Sequence, residues 1–357
     1  MSKTNTKYPA LLAWDELLPQ LHTFDAIIDA RSPSEFAEDH IPGAVNCPVL
    51  NDEERARVGT MYKQVGSFEA KKLGAALVAR NIAQHIESRF MDMPREWKPL
   101  IYCWRGGNRS GSLAHILAKI GWPAVQLDGG YRVYRRHVND ELAILPQQFT
   151  FNVICGTTGS GKSRLLQTLA QQGEQVLDLE QLARHKGSVL GGLPTEPQPT
   201  QKRFESLIWY ALRSFRKERV VYVESESKKI GNLRVPEALM DMVRASPCIA
   251  LDLSQQDRIR LLMQDYPHFI AEPGKLNHQL DCLTQLHGKE KISRWQAMAN
   301  EGNIESLVAE LLSAHYDPAY LRSISRNFLN YSQARKIELA GISDEAFVHA
   351  ADSIRSP

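Results

Sequence analysis

The sequence predicts an α/β protein made of two successive domains with parallel sheets, followed by a helical C-terminal region. Two observations carry this expectation. At 357 residues the chain is too long for one ordinary core, which serves roughly 100 to 200 residues. In both halves, short apolar runs of strand length alternate with apolar residues at helical spacing, the pattern of strand, helix and parallel strand.

The first series runs from Tyr8 to about Asn139, with strand-like segments at Ala26–Asp29, Pro99–Tyr102 and 124–127. Between the last two, residues 110–120 have helical spacing and stop at Gly121, a natural helix terminator. The polar stretch 145–149 closes the series, so the boundary is expected near Pro146. The second series opens with Phe151–Cys155 and continues with 175–179, 219–224 and Cys248–Asp252. Each of these follows a helical segment, which calls for parallel pairing. Residues 187–200 hold glycines and prolines without periodicity, long enough for a functional loop or lid. After Pro267 the pattern is helical alone, as in 304–312. The expected division is 1–145, 146–270 and a helical region 271–357.

Composition narrows the class. Hydrophobic residues at 43% and charged residues at 24% are ordinary soluble usage and argue against disorder. The first nine residues are polar, and no run approaches the roughly 18 apolar residues of a membrane span, so a cytoplasmic address without membrane is expected. The five cysteines, Cys47, Cys103, Cys155, Cys248 and Cys282, are scattered and form no C-x-x-C pair, against a disulfide framework and a structural zinc site. Net charge is only +2, so a nucleic-acid partner needs a local basic face.

The segment CWRGGNRS, residues 103–110, lies between an expected strand and the start of an expected helix. Backbone N–H groups in such a place can converge on an anion, and the helix dipole adds positive potential. That setting lowers a thiol pKa. The two glycines let the backbone curl, while Arg105 and Arg109 can neutralise or clamp an oxyanion. Cys103, which alone would read as a buried structural residue, therefore reads as a nucleophile in an anion cradle.

The segment GTTGSGKS comprises Gly156, Thr157, Thr158, Gly159, Ser160, Gly161, Lys162 and Ser163, and it joins a strand to a helix as a Walker A loop must. Its N–H groups would hold a polyphosphate, Lys162 would reach the terminal phosphates and Ser163 would ligate Mg²⁺. Asp178 and Glu224, each ending a strand, are equal candidates for a metal carboxylate or a mere helix cap. Basic and aromatic residues cluster at Arg203, Phe204, Trp209, Tyr210, Arg213, Arg216, Lys217, Lys228 and Lys229, with Arg132, Arg135 and Arg136 at the domain junction. Such clusters are commonly solvated faces; beside a phosphate loop they are candidates for nucleic-acid phosphates and, through the aromatics, an unpaired base.

The cysteine loop, with DARSPSEF (29–36), HIPGAVN (40–46) and LDGGY (127–131) in the same order, resembles the rhodanese family. The resemblance implies that Asp29 and Arg31 brace the sheet and that Cys103 carries a transferable chalcogen. Five residues separate Cys103 from Arg109, where typical rhodaneses have four. The longer loop is similar to that of dual-specificity phosphatases, which keeps phosphatase activity as an alternative. A rhodanese-like domain joined to a P-loop domain, with DLE (178–180), HKGS (185–188), VESES (223–227) and Ile230-Gly231, resembles the tRNA 2-selenouridine synthase family over nearly the whole length.

That resemblance implies a transferase acting on tRNA that carries 2-thiouridine at the wobble position. Geranyl diphosphate would alkylate the sulfur, and selenium from selenophosphate, supplied by selenophosphate synthetase, would displace it. A sulfurtransferase coupled to ATP hydrolysis and a non-enzymatic tRNA-binding module stay open beside it.

Overall fold

The computed structural model describes residues 8–105, 107–187, 191–192 and 197–355. Gly106 of the cysteine loop, Ser188 and much of the expected lid at 187–200 lie outside the described residues. The chain divides at Glu141 and Leu142 into two compact units.

In the first unit, five strands pair in parallel: β1 (Ala10–Leu12), β2 (Ala26–Asp29), β3 (Ala44–Asn46), β4 (Pro99–Tyr102) and β5 (Val125–Leu127), in the order β1-β5-β4-β2-β3. Central β4 is buried at every position, which is why its apolar run is continuous. Ile28, Ile101, Leu113 and Leu117 pack on one face of the sheet. The edge strands β1 and β3 are three residues each and half exposed, too short for their alternation to show in sequence. The cysteine loop leaves the C-terminal end of β4 and enters the helix Asn108–Ile120, which stops at Gly121 with φ 117°.

The second unit holds β6 (Phe151–Cys155), β7 (Gln175–Leu177), β8 (Val221–Glu224), a two-stranded antiparallel pair β9 (Lys229–Ile230) and β10 (Leu233–Arg234), then β11 (Cys248–Asp252) and β12 (Arg335–Glu338). The main sheet is parallel in the order β12-β11-β6-β8-β7, with β6 at its centre. Three expectations are corrected. β7 ends at Leu177, because Asp178 caps the helix Leu179–Ala183. β8 begins at Val221 rather than residue 219. The region after Pro267 is not helical alone, since β12 pairs with β11 along Ile249–Asp252 and completes the sheet.

The C-terminal segment is accordingly no separate tail. In the helix Asp344–Arg355, Phe347, Ala350 and Ile354 pack in one cluster with Leu165, Leu166 and Leu169 of the phosphate-loop helix, Lys162–Gln171. The helices between β11 and β12 build a satellite core around Leu280, Trp295 and Leu307. Among the described residues, no helix is long and apolar enough to cross a membrane.

Candidate functional site

Cys103 follows central β4 and is 4% exposed. Its sulfur accepts a hydrogen bond from the Ser110 hydroxyl at 3.1 Å, and the Ser110 oxygen accepts one from Gln126 Nε2 at 3.1 Å. Burial is the largest influence and pushes the thiol pKa up. The Ser110 hydroxyl, the N–H groups of Gly107 and Ser110, and the Arg109 charge together outweigh it, and the pKa lies below the ordinary thiol value. The loop is held from behind by the start of the helix Gly130–Leu142: Tyr131 N–H donates to the Cys103 carbonyl at 2.8 Å and Arg132 N–H to the Trp104 carbonyl at 3.1 Å.

The two loop arginines differ. Arg109 turns its fork onto Glu35, at 2.6 Å and 3.2 Å, so it acts on the sulfur through charge and not as a clamp. Glu35 is only 8% exposed, and a carboxylate so buried needs a cation; Arg55 adds a second at 3.2 Å. Arg105 is exposed and makes no side-chain ion pair among the described residues, which leaves it to meet an incoming anion. Asp29 and Arg31 form a buried pair at 2.6 Å, and the Arg31 guanidinium lies 4.0 Å from the centre of the Tyr131 ring, under the same loop.

In the second unit the phosphate loop curls between β6 and the helix Lys162–Gln171. Gly161 sits at φ 86°, and a Cβ there would lie 2.7 Å from the Phe347 ring, so only glycine fits. Lys162 Nζ donates to the Gly156 carbonyl at 2.9 Å, and Gly156 N–H donates to the Tyr320 hydroxyl at 2.7 Å. Buried Arg258 donates twice to the Thr158 carbonyl, at 2.9 Å and 2.8 Å, and pairs with Asp317. Sequence spacing gave no signal for Arg258 or Tyr320, which come from helices beyond β11. The loop opens on a cavity of about 780 Å³ whose walls also carry Arg164, Arg184, His185 and Lys186.

Facing Lys162 are three carboxylates, Glu180, Glu224 and Glu226, with one oxygen from each lying within 4.8 Å of the others. Ser163 Oγ donates to Glu180 at 3.2 Å. Glu224 is fully buried, and neither of its oxygens has a hydrogen-bond partner. Burial and the neighbouring carboxylates push Glu180 up to about 8 and Glu224 well above the ordinary range, and burial raises Glu226. Gly187, at φ 60°, closes over the cluster; a Cβ there would come within 2.5 Å of Glu180 and 2.7 Å of Glu226. An all-oxygen donor set with an orphaned buried carboxylate suits a hard divalent cation such as Mg²⁺. Ser163 and Glu224 therefore stay together as metal candidates. Asp178 leaves that set, since its side chain accepts from Gln181 N–H at 2.8 Å and caps a helix. Glu180 and Glu226 were missed, although both stand in strings that carry the family resemblance.

Of the basic candidates, Arg132 and Arg136 are exposed on their helix, whereas Arg135 is half-buried and lies 3.9 Å from buried Asp39. Arg213, Arg216, Lys217, Lys228 and Lys229 are exposed, and Arg203 is half-buried. Phe204 and Trp209 belong to the core, at 0% and 2% exposure, so they cannot stack on a base; Tyr210 is exposed.

Two parallel α/β units, one holding a polarised cysteine at the end of its central strand and the other a phosphate loop facing carboxylates, define a rhodanese-like domain joined to a P-loop domain. The family described as "tRNA 2-selenouridine synthase AAA domain" matches residues 149–341, and the "Rhodanese-like domain" family matches residues 13–137. A tRNA 2-selenouridine synthase of Nitrosomonas europaea is 37% identical over 87% of this chain and 95% of its own length. Proteins of the same name are 36% identical in Hydrogenovibrio crunogenus, over 70% of this chain and 72% of theirs, and 34% identical in a Sulfurovum species, over 87% and 94%. This chain belongs to the tRNA 2-selenouridine synthase family.

Proposed function

We propose that this protein replaces the sulfur of 2-thiouridine at the tRNA wobble position with selenium, in the cytoplasm, by S-geranylation followed by displacement. One observation carries the reading furthest: a buried thiol polarised by Ser110 and a phosphate cradle at Lys162 occur in one chain of this family. A thiocarbonyl sulfur is a poor leaving group. Attack of that sulfur on the carbon bearing the diphosphate of geranyl diphosphate forms a C–S bond and releases diphosphate. The phosphate-loop N–H groups and Lys162 stabilise the charge that gathers on the leaving oxygens. When Mg²⁺ is bound by Ser163, Glu180, Glu224 and Glu226, it supplies further charge neutralisation at the same place.

The second stage belongs to the first unit. Selenium from selenophosphate, the product of a selenophosphate synthetase, adds to the activated carbon, and the geranylated sulfur leaves as a thiolate. Cys103 positions or delivers that selenium at its selenide oxidation level, without forming an S–Se bond. Water then cleaves the Se–P bond, so that the selenocarbonyl is left on the base and inorganic phosphate leaves toward Arg105. Arg132 and Arg136 on one unit and Arg213, Arg216, Lys217, Lys228 and Lys229 on the other supply exposed charge for the tRNA backbone. Arg135 and Arg203 are more enclosed and contribute less.

Mass spectrometry of tRNA nucleosides tests this in cells lacking the protein and complemented with Cys103→Ala or Lys162→Ala. The expected result is loss of 2-selenouridine in all three, with S-geranyl-2-thiouridine persisting in the Cys103→Ala strain. Normal selenouridine in both variants, or loss of geranylation alone in Cys103→Ala, overturns the assignment.

A further inference from the structure

A pair of imidazoles reaches the phosphate cavity from its far wall and has no part in the chemistry above. His287 closes the short helix Thr284–His287, and His315 stands in the π-helical turn Leu312–Tyr316. His287 Nε2 and His315 Nδ1 lie 3.0 Å apart. His315 and Tyr316 share the walls of the cavity of about 780 Å³ with Lys162 and Ser163. Both rings are held in place: His287 packs edge-on against buried Trp295, with ring centres 5.1 Å apart, and His315 packs against Tyr316 at 4.8 Å. A π-helical turn is rare and is found mostly at functional sites.

We propose that His315, backed by His287, is a proton-charged contact for the phosphates held at Lys162: the pair is neutral in the empty cavity and shares one added proton when a diphosphate fills it. The proposal rests on the reading of this cavity as a diphosphate site and deepens it by naming a binding residue outside the phosphate loop. The hydrogen bond between the rings takes one nitrogen of each. The other two, His287 Nδ1 and His315 Nε2, make no hydrogen bond among the described residues, and both side chains are only half-buried. With His287 as the donor, a proton from solvent adds to its Nδ1 while the proton on its Nε2 passes to His315 Nδ1. His315 is then an imidazolium whose Nε2–H can donate to an anion.

The empty pair is neutral for a physical reason. Both rings lose hydration, Lys291 of the helix Lys289–Asn300 opposes a charge on His287, and a charge on His287 opposes one on His315, so both pKa values lie below the ordinary imidazole value. The carboxylates of the adjoining elements are engaged elsewhere. Glu310 accepts from Trp295 Nε1 at 2.9 Å and pairs with Arg294, and Asp317 pairs with Arg258. On the cavity side, Lys162, Arg164, Arg184 and Lys186 stand against Asp265 and the three glutamates. An incoming diphosphate adds negative charge beside the pair and raises its affinity for a proton. By reciprocity, the proton raises the affinity for diphosphate by the same factor.

Titration calorimetry of the full-length protein with inorganic diphosphate, at constant free Mg²⁺ and in buffers of differing ionisation enthalpy, counts the protons taken up on binding. His315→Gln stays polar but cannot titrate, so subtracting it cancels proton changes on diphosphate itself and on the glutamates. At about pH 7 the parent should take up more protons than this variant, by a fraction approaching one. Between about pH 8 and about pH 6 the parent's affinity should gain on the variant's by up to about tenfold per pH unit. At about pH 9 the pair is uncharged and the two proteins should bind alike, which also shows that the variant is folded. Imidazole nitrogen NMR of the parent, assigned with His287→Gln and His315→Gln, should show the two rings protonating in one step, at a higher pH with diphosphate than without. Equal proton uptake in parent and His315→Gln, or imidazole signals whose titration diphosphate leaves unmoved, overturns the proposal and leaves the diphosphate reading standing. A parent protein that binds no diphosphate at any of these pH values overturns the diphosphate reading, and the proposal falls with it.

Discussion

The Ser110 hydroxyl has one proton to give, and Gln126 decides where it goes. Because Gln126 Nε2 donates to the Ser110 oxygen at 3.1 Å, the serine proton is left for the Cys103 sulfur, also at 3.1 Å. Burial works against ionisation, so the depressed thiol pKa depends on donors that a small rotation would remove. Ser110→Ala should raise that pKa and cut the thiolate fraction at neutral pH roughly tenfold, about the worth of one hydrogen bond to a charge. Gln126→Leu keeps the hydroxyl but frees it to turn, and should move the pKa in the same direction by less. Ultraviolet absorbance of the thiolate against pH measures both, in a Cys282→Ser background because Cys282 is an exposed free cysteine. A Ser110→Ala protein that titrates like the parent would show that backbone N–H groups alone hold the sulfur. That Cys103, Arg105 and Arg109 share one loop at a helix start could be read from the sequence, because a loop between strand and helix announces itself. Gln126 could not, since nothing at position 126 in the sequence says that its strand lies beside β4.

At the scale of elements, the turn after β7 separates two carboxylates that look alike in sequence. Asp178 has non-helical backbone and accepts from Gln181 N–H, so it belongs to the start of Leu179–Ala183. That short helix turns Glu180 back toward Ser163 and Glu226. Asp178→Ala should therefore cost about 1 kcal/mol of stability, the usual worth of a cap, with divalent-ion affinity little changed. Glu224→Gln should weaken Mn²⁺ or Mg²⁺ binding by tenfold or more without a comparable loss of stability. Metal titration followed by thermal unfolding separates the two, and equal loss of metal affinity in both variants would return Asp178 to the ligand set. The central strands β2, β4, β6, β8 and β11 were legible because burial on both faces makes their sequences continuously apolar. β12 was not, because an edge strand with only Ile337 buried carries too little pattern. Phe204 and Trp209 misled for the opposite reason: aromatic residues among arginines look exposed, yet both lie on the buried side of Gln201–Ser214.

For the molecule as a whole, the buried carboxylates couple metal, pH and stability. Glu180 is pushed up to about 8 in the folded chain, against an ordinary value of 4.5, and Glu224 and Glu226 are raised with it. Between those limits the folded state keeps protons that the unfolded chain has released. The contribution of this cluster to stability without metal then falls as pH rises from about 4.5 through about 8, the reverse of an ion-paired carboxylate. A divalent cation binds the folded, deprotonated cluster and not the unfolded chain, so it should restore stability most at the alkaline end of the window and displace protons as it binds. Melting temperature against pH, with chelator and with Mg²⁺, should give curves that diverge upward in pH. Each kcal/mol corresponds to about 2 to 4 °C for a domain of about 200 residues. Glu224→Gln, neutral at every pH, should raise the alkaline melting temperature in chelator and lose the response to Mg²⁺. The C-terminal segment takes part in this balance, because β12 and Asp344–Arg355 complete the sheet and cover the helix that carries Lys162 and Ser163. Parallel chelator and Mg²⁺ curves across the window would mean that the three glutamates hold no metal, and their burial would then need another partner.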